Sequence, residues 1–196
     1  MFPIAYGDVQ TGNLWRSRAD GSEKLQLSAQ FVVSLPRWSL DGTRLAFTMS
    51  DAENRDQLYV ISRDGGTPQR FDVSEFDPIR PTWLPEGNSI VLQDSNGTKS
   101  VSVKVVDLSS SKVTILPGSG NAMFPVCSPD GHYVSASTID GQKLMLFDFQ
   151  KQQWSDLVKM NVGIYRLVQR RQIHLFRHRL ERRSCPIPHS SCRPKT

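Results

Sequence analysis

The side chains of this sequence that could do chemistry are few and scattered. Cys185, His189 and Cys192 stand close together and carry metal-ligating atoms. A tetrahedral zinc site takes four such ligands, and these three form no CxxC pair. Cys127 is isolated, and three cysteines make no disulfide framework. Asp20, Asp64 and Asp130 each precede a glycine. As general acids or bases they would need a partner group beside them, and the sequence shows none. The stretch GSGNA at 118–122 has two of the glycines of a dinucleotide loop, but it lies between strand-like segments and reads better as a turn. The stretch DAENRD at 51–56 gathers carboxylates without the spacing or the glycine of a calcium loop, and reads as a solvated connection. Asn96-Gly97-Thr98 is a glycosylation sequon, which matters only in a secretory pathway. None of GxSxG, HExxH or GxxxxGK[ST] occurs. The expectation is a protein that is not an enzyme, with no catalytic residue, no metal site and no cofactor.

Basic residues are distributed unevenly. The chain has 196 residues and a net charge of +5. Residues 164–196 contain eight Arg, one Lys and one Glu, a net +8, so the preceding 163 residues carry −3. Arg170, Arg171, Arg177, Arg179, Arg182 and Arg183 could meet phosphates with a salt-dependent affinity, but no nucleic-acid recognition motif accompanies them. The later PIPHSSCRP breaks any helix they would share. No apolar run approaches the roughly 18 residues of a membrane span, and MFPIAYGD at the start lacks the positive region of a secretory signal. No membrane insertion is expected.

The elements that would position any site follow from a repeat. PRWSLDGTRLAFTMS from Pro36, PTWLPEGNSIVLQDS from Pro81 and PVCSPDGHYVSASTI from Pro125 align without gaps, at spacings of 45 and 44. Between them a second set recurs from Leu14, Leu58, Val103 and Leu144, at 44, 45 and 41. Self-similarity at this period marks a repeat architecture. The first two units open with a short strand ending in Trp, at Trp38 and Trp83. A turn follows in which Pro supplies a fixed φ, Asp an acceptor and Gly a positive φ. The next strand alternates apolar residues, as in Leu45, Phe47 and Met49. A third strand, a hairpin such as RDGG at 63–66, and a fourth strand complete the unit. Four short antiparallel strands per repeat describe one blade of a β-propeller, and nothing in residues 1–160 has helical periodicity.

The units resemble the WD40-like repeats of TolB-type β-propellers, whose hallmark is a Trp-Ser-Pro-Asp-Gly turn followed by an apolar strand. The first copy matches at Trp38, Ser39, Asp41 and Gly42, with Leu40 replacing proline. The second retains Trp83, Pro85 and Gly87, with Leu84 and Glu86 substituted, and the third retains Ser128, Pro129, Asp130 and Gly131, with Cys127 in place of Trp. The resemblance implies that these residues are structural: the ring packs between blades and the turn sets the hairpin. The expected fold is all-β, a partial propeller of about three and a half four-stranded blades over residues 1–160, with an irregular tail over 161–196.

Both ends depart from the repeat. PIAYGD near residue 3 matches the second strand of a blade, which is read as a fragment beginning inside one. By the period a Trp-Ser-Pro-Asp-Gly turn is due near residue 168, where the basic run stands instead. Permitted codons for residues 164–178, displaced by one base, spell YTGWSKDGKYIYFDT, the missing turn and strand. The tail is therefore expected to be an out-of-frame or disordered segment, which the coding DNA decides.

The resemblance implies a non-catalytic interaction module that binds a protein or peptide, the sensory or scaffold part of a larger bacterial protein. Parents of that type are a winged-helix transcriptional regulator, which would touch nucleic acid only through its separate domain, and a TolB-like envelope protein. The alternative is the propeller of a prolyl-oligopeptidase-like or tricorn-like serine peptidase. A cytoplasmic location is expected, or a periplasmic one for a TolB-like parent.

Overall fold

The computed structural model describes residues 4–7, 13–28, 33–50, 55–73, 78–95 and 101–159. The whole tail from residue 160 on, the sequon Asn96-Gly97-Thr98 and residues 51–54 lie outside them. Among the described residues there is no helix.

The described residues form fifteen strands in four antiparallel sheets. The first sheet has three: β1 (Ile4–Gly7), β2 (Leu14–Ser17) and β3 (Leu25–Gln26). The second has β4 (Val33–Trp38), β5 (Arg44–Ser50), β6 (Asp56–Ser62) and β7 (Gln69–Phe71). The third has β8 (Pro78–Trp83), β9 (Ser89–Asp94), β10 (Ser102–Asp107) and β11 (Val113–Ile115). The fourth has β12 (Ala122–Cys127), β13 (Tyr133–Thr138), β14 (Lys143–Asp148) and β15 (Gln153–Lys159). Strand order within every sheet follows the chain, so each is a meander closed by short hairpins.

The sheets stack face to face, and each step of the stack encloses its own core. Leu14 and Leu27 meet Leu45, Phe47, Met49 and Ile61 between the first two sheets. Ala46, Leu58, Val60 and Phe71 meet Trp83, Ile90 and Leu92 between the second and third. Val91, Val103 and Leu116 meet Ala122, Val134, Ala136 and Phe147 between the third and fourth. Second strands are therefore buried on both faces. In β5 Leu45, Phe47 and Met49 face backward, as their alternation predicts, while the intervening Ala46 packs forward and is just as inaccessible. A strand sandwiched between two sheets needs apolar or neutral side chains at every position, so it reads as a continuous run rather than an alternation.

Neighbouring sheets meet along β4, β8 and β12, their first strands: β4 touches β8, and β8 touches β12. Each second strand also packs on the first strand of the next sheet: β1 on β4, β5 on β8, and β9 on β12. β1 thus occupies a second-strand position, as its resemblance to RLAFTM implies. Sheets that converge on their first strands fan out around an axis, which is propeller geometry.

Candidate functional site

The hallmark residues sit where first strands turn into second strands. Ser39 N–H donates to the Arg44 carbonyl at 2.8 Å and Gly42 N–H to the Ser39 carbonyl at 2.9 Å, with Gly42 at φ +68°. Ser39 Oγ donates to Asp41 Oδ1 at 2.6 Å and accepts from Arg44 N–H at 2.9 Å. Thr43 donates to the same carboxylate from its N–H at 3.0 Å and its hydroxyl at 2.8 Å. These donors, the Ser39 hydroxyl foremost, hold the Asp41 carboxyl down at about 2. Ser128, Asp130 and Gly131 repeat the arrangement. Ser128 Oγ donates to Asp130 Oδ1 at 2.6 Å, His132 N–H donates to it at 3.0 Å, and Asp130 is likewise lowered, again mainly by the serine. Gly87 closes the middle turn, donating to the Leu84 carbonyl at 3.0 Å with φ +73°. There Leu84 and Glu86 replace the serine and aspartate, and only the backbone bonds remain.

A further copy of this chemistry went unread in the sequence. Thr138, Asp140 and Gly141 build the same turn between β13 and β14. Thr138 Oγ1 donates to Asp140, Gln142 N–H donates to Asp140 Oδ1 at 3.0 Å, and Gly141 has φ +67°. The Thr-x-Asp-Gly string was its signal, hidden because it falls at a different point of the repeat.

Aromatic residues and turn glycines join neighbouring sheets. Trp83 Nε1 donates to the Arg37 carbonyl at 2.9 Å, and the Arg44 guanidinium lies 5.1 Å from the Trp83 ring centroid while its Nη2 reaches the Gly87 carbonyl. Pro85 Cδ lies 3.0 Å from where a Cβ on Gly131 would stand. Pro129 is half-buried in the third turn. Trp38 packs on the core between the first two sheets, and its Nε1 is buried without a partner. Cys127, in the place of the third tryptophan, points its backbone N–H toward Thr82 Oγ1 at 3.4 Å, and burial pushes its thiol up to about 12. Trp154 completes that interface by donating from Nε1 to the Pro117 carbonyl at 2.8 Å.

The remaining candidates are spread apart. Residues 118–122 form the turn from β11 to β12, where Asn121 N–H donates to the Val101 carbonyl at 2.8 Å. Asp20 accepts from Ser22 within its hairpin, and the exposed Asp64 lies 3.6 Å from Arg16 of the preceding sheet. Cys185, His189, Cys192 and the basic run lie outside the described residues. Among the described residues no group of three His, Cys, Asp or Glu could hold a metal ion, and no helix is long and apolar enough to cross a membrane.

A second constellation recurs on the first strands. Leu35, Arg80 and Phe124 have φ of +47°, +58° and +57°. Each immediately precedes a proline, Pro36, Pro81 or Pro125, and each sits in a bulge where β4, β8 or β12 slips register against its second strand. A residue with a Cβ pays roughly 1–3 kcal/mol to hold such a conformation, and a following proline disfavours it further. Leu35 is 38% and Phe124 37% exposed, large apolar side chains held at the solvent. The Arg80 guanidinium lies 4.2 Å from the Phe124 ring centroid. The Phe124 N–H donates to Oε1 of Gln93, a buried residue of β9 in the preceding sheet, at 2.9 Å. The three aligned prolines were the sequence signal; that the residue before each takes a positive φ was not readable from them.

No family model matches the sequence. The chain superposes on TolB from Acinetobacter baumannii with a TM-score of 0.66 at 16% identity, covering 79% of this chain and 40% of that one. A putative TolB from Agrobacterium tumefaciens gives a TM-score of 0.65 at 18% identity, covering 83% and 64%. This is a TolB-type β-propeller fold. The sheets also superpose on a chain of a nidogen/laminin complex, with a TM-score of 0.64 at 14% identity, covering 83% and 64%. In sequence the propeller is 37% identical over 92 residues to an uncharacterized peptidase, YuxL, of Bacillus subtilis. That match takes in 46% of this chain and 14% of the peptidase, so the propeller spans a small part of that relative's length.

Proposed function

We propose that this propeller is a non-catalytic module that receives a protein or peptide on behalf of a larger protein. The observation that carries the reading is the employment of its polar motif residues. Ser39 and Ser128 hydrogen-bond to Asp41 and Asp130 inside turns, and the carboxylates are held below their ordinary range by those bonds. A carboxylate held below its ordinary range is a poor general base at neutral pH, and a serine that donates to it within a turn is not aimed at a substrate. The first strands, by contrast, hold Leu35 and Phe124 exposed, with the half-buried Arg80 over the Phe124 ring, and an exposed apolar side chain beside a cation suits recognition. The superposition on a chain from the nidogen/laminin complex supports a protein partner for a propeller of this shape.

A second reading, the propeller of a serine peptidase, is favoured by the 92-residue match to YuxL. Translation of the coding DNA on both sides separates the two. An upstream helix-turn-helix or signal sequence supports the module. A downstream GxSxG followed by Asp and His, with fluorophosphonate labelling of the whole gene product, supports the peptidase and overturns the first reading.

A further inference from the structure

We infer that Arg80, seated on Phe124, is a carboxylate-binding site of this propeller, and that its ligand is a peptide carboxylate with an apolar neighbour. The inference deepens the proposed binding function and rests on it.

Arg80 occupies the bulge of β8, between the equivalent bulges of β4 and β12 that carry Leu35 and Phe124. All three take positive φ although none is glycine, so the backbone holds large side chains where a glycine would sit without strain. Bulges re-aim side chains, and here the same re-aiming occurs at one level of three adjacent strands. The Phe124 ring lies against the Arg80 guanidinium at 4.2 Å. The N–H donors of a guanidinium form a planar fork that matches a carboxylate. Among the described residues no carboxylate lies within ion-pair distance of Arg80.

Other arginines of these sheets are engaged structurally: Arg44 on Gly87 and Trp83, Arg16 and Arg63 on Asp64, Arg18 on Glu23. Arg80 instead lies over the ring of Phe124, a residue that is 37% exposed. The Phe124 backbone is tied to the neighbouring sheet, where Gln93 accepts its N–H. A cation beside the exposed Phe124 complements an anion attached to an apolar group. A chain-terminal carboxylate and a Glu side chain share that chemistry.

The test uses the whole chain, labelled at arginine Nε. It is titrated with 4-phenylbutyrate and with its uncharged amide, and the Arg80 Nε–H resonance is assigned by its loss in Arg80→Gln. The acid is expected to shift that resonance, the amide to leave it in place, and the Arg80→Gln variant to bind the acid at least tenfold more weakly. Phe124→Leu, which keeps an apolar surface but removes the ring, is expected to weaken the acid several-fold. Three acetylated peptides then separate the sources: AALF as the acid, AALF as the amide, and ALEF as the amide. Preference for the first assigns a chain end, and preference for the third assigns a Glu side chain. Equal shifts by acid and amide in the native chain overturn the site, whatever the variants do. Peptide binding that leaves Arg80 unmoved keeps the proposed function and overturns the site. A phenylbutyrate shift at Arg80 without binding of any peptide keeps the carboxylate site and overturns the peptide-binding reading.

Discussion

Trp83 Nε1 donates to the Arg37 carbonyl at 2.9 Å, joining β8 of the third sheet to β4 of the second, whereas Trp38, at the same repeat position one sheet earlier, has a buried Nε1 with no partner. Two tryptophans of one motif therefore do different work. Trp83→Phe removes an inter-sheet hydrogen bond, at a cost of about 1 kcal/mol beyond lost ring area. Trp38→Phe removes a donor that was already unsatisfied, so it loses ring area without that cost. Urea unfolding is expected to rank Trp83→Phe well below Trp38→Phe in stability; equal losses would contradict the assigned roles.

Glycines in equivalent turns also separate. Gly131 and Gly141 have φ of +74° and +67°, but a Cβ at Gly131 would meet Pro85 Cδ at 3.0 Å, while none of the neighbouring atoms comes within 4 Å at Gly141. Gly141→Ala is expected to cost about 1 kcal/mol from the positive φ alone. Gly131→Ala adds displacement of Pro85 in the adjacent turn and is expected to lower the melting temperature further. The comparison tests whether turn-to-turn contact holds the sheets together.

Acid should loosen the turns. The Asp41 carboxyl lies near 2 in the folded chain against about 3.9 in an unfolded one. A depressed carboxylate stabilises the fold fully above its unfolded value, and the contribution is lost as pH falls through the folded one. Asp130 is shifted in the same direction by the same kind of bonds. Stability measured by denaturant is expected to fall between about pH 4 and pH 2. Asp41→Asn should flatten that slope, and an unchanged slope would remove Asp41 from the cause. Both carboxylates are largely at the surface, so solvent screening keeps each contribution modest.

Cys127 should be chemically silent in the folded chain. It is buried where the other repeats place tryptophan, and burial pushes its thiol up to about 12. In a Cys185→Ser, Cys192→Ser background, iodoacetamide at pH 8 is expected to leave Cys127 unmodified until urea unfolds the protein. Mass spectrometry of the tryptic peptide reads the result, and rapid native labelling would refute the packing of β12 against β8.

Much of the architecture was legible in the chain itself. Recurrence of Trp38-Ser39-x-Asp41-Gly42 at Trp83 and Ser128 located three first-to-second strand turns, because a glycine at positive φ and an acceptor beside it are local requirements. The meander order followed from short hairpins, and the second-strand identity of β1 from its likeness to β5. Those properties depend on a few consecutive residues, which is why a linear reading reaches them.

Stacking decided the rest. Whether Ala46 lies at a solvent face or in a core depends on a second sheet 45 residues onward, and its sequence neighbours cannot say. The split between Trp38 and Trp83 depends on whether an Arg37 carbonyl stands opposite, a matter of inter-sheet placement. Arg80 and Phe124 are 44 residues apart and meet only because adjacent first strands bulge at one level. The chain by itself determined turns, strand order and period, which are local and repetitive. Tertiary structure alone decided which side chains are buried, paired or presented, because those outcomes are relations between sheets that the backbone brings together only on folding.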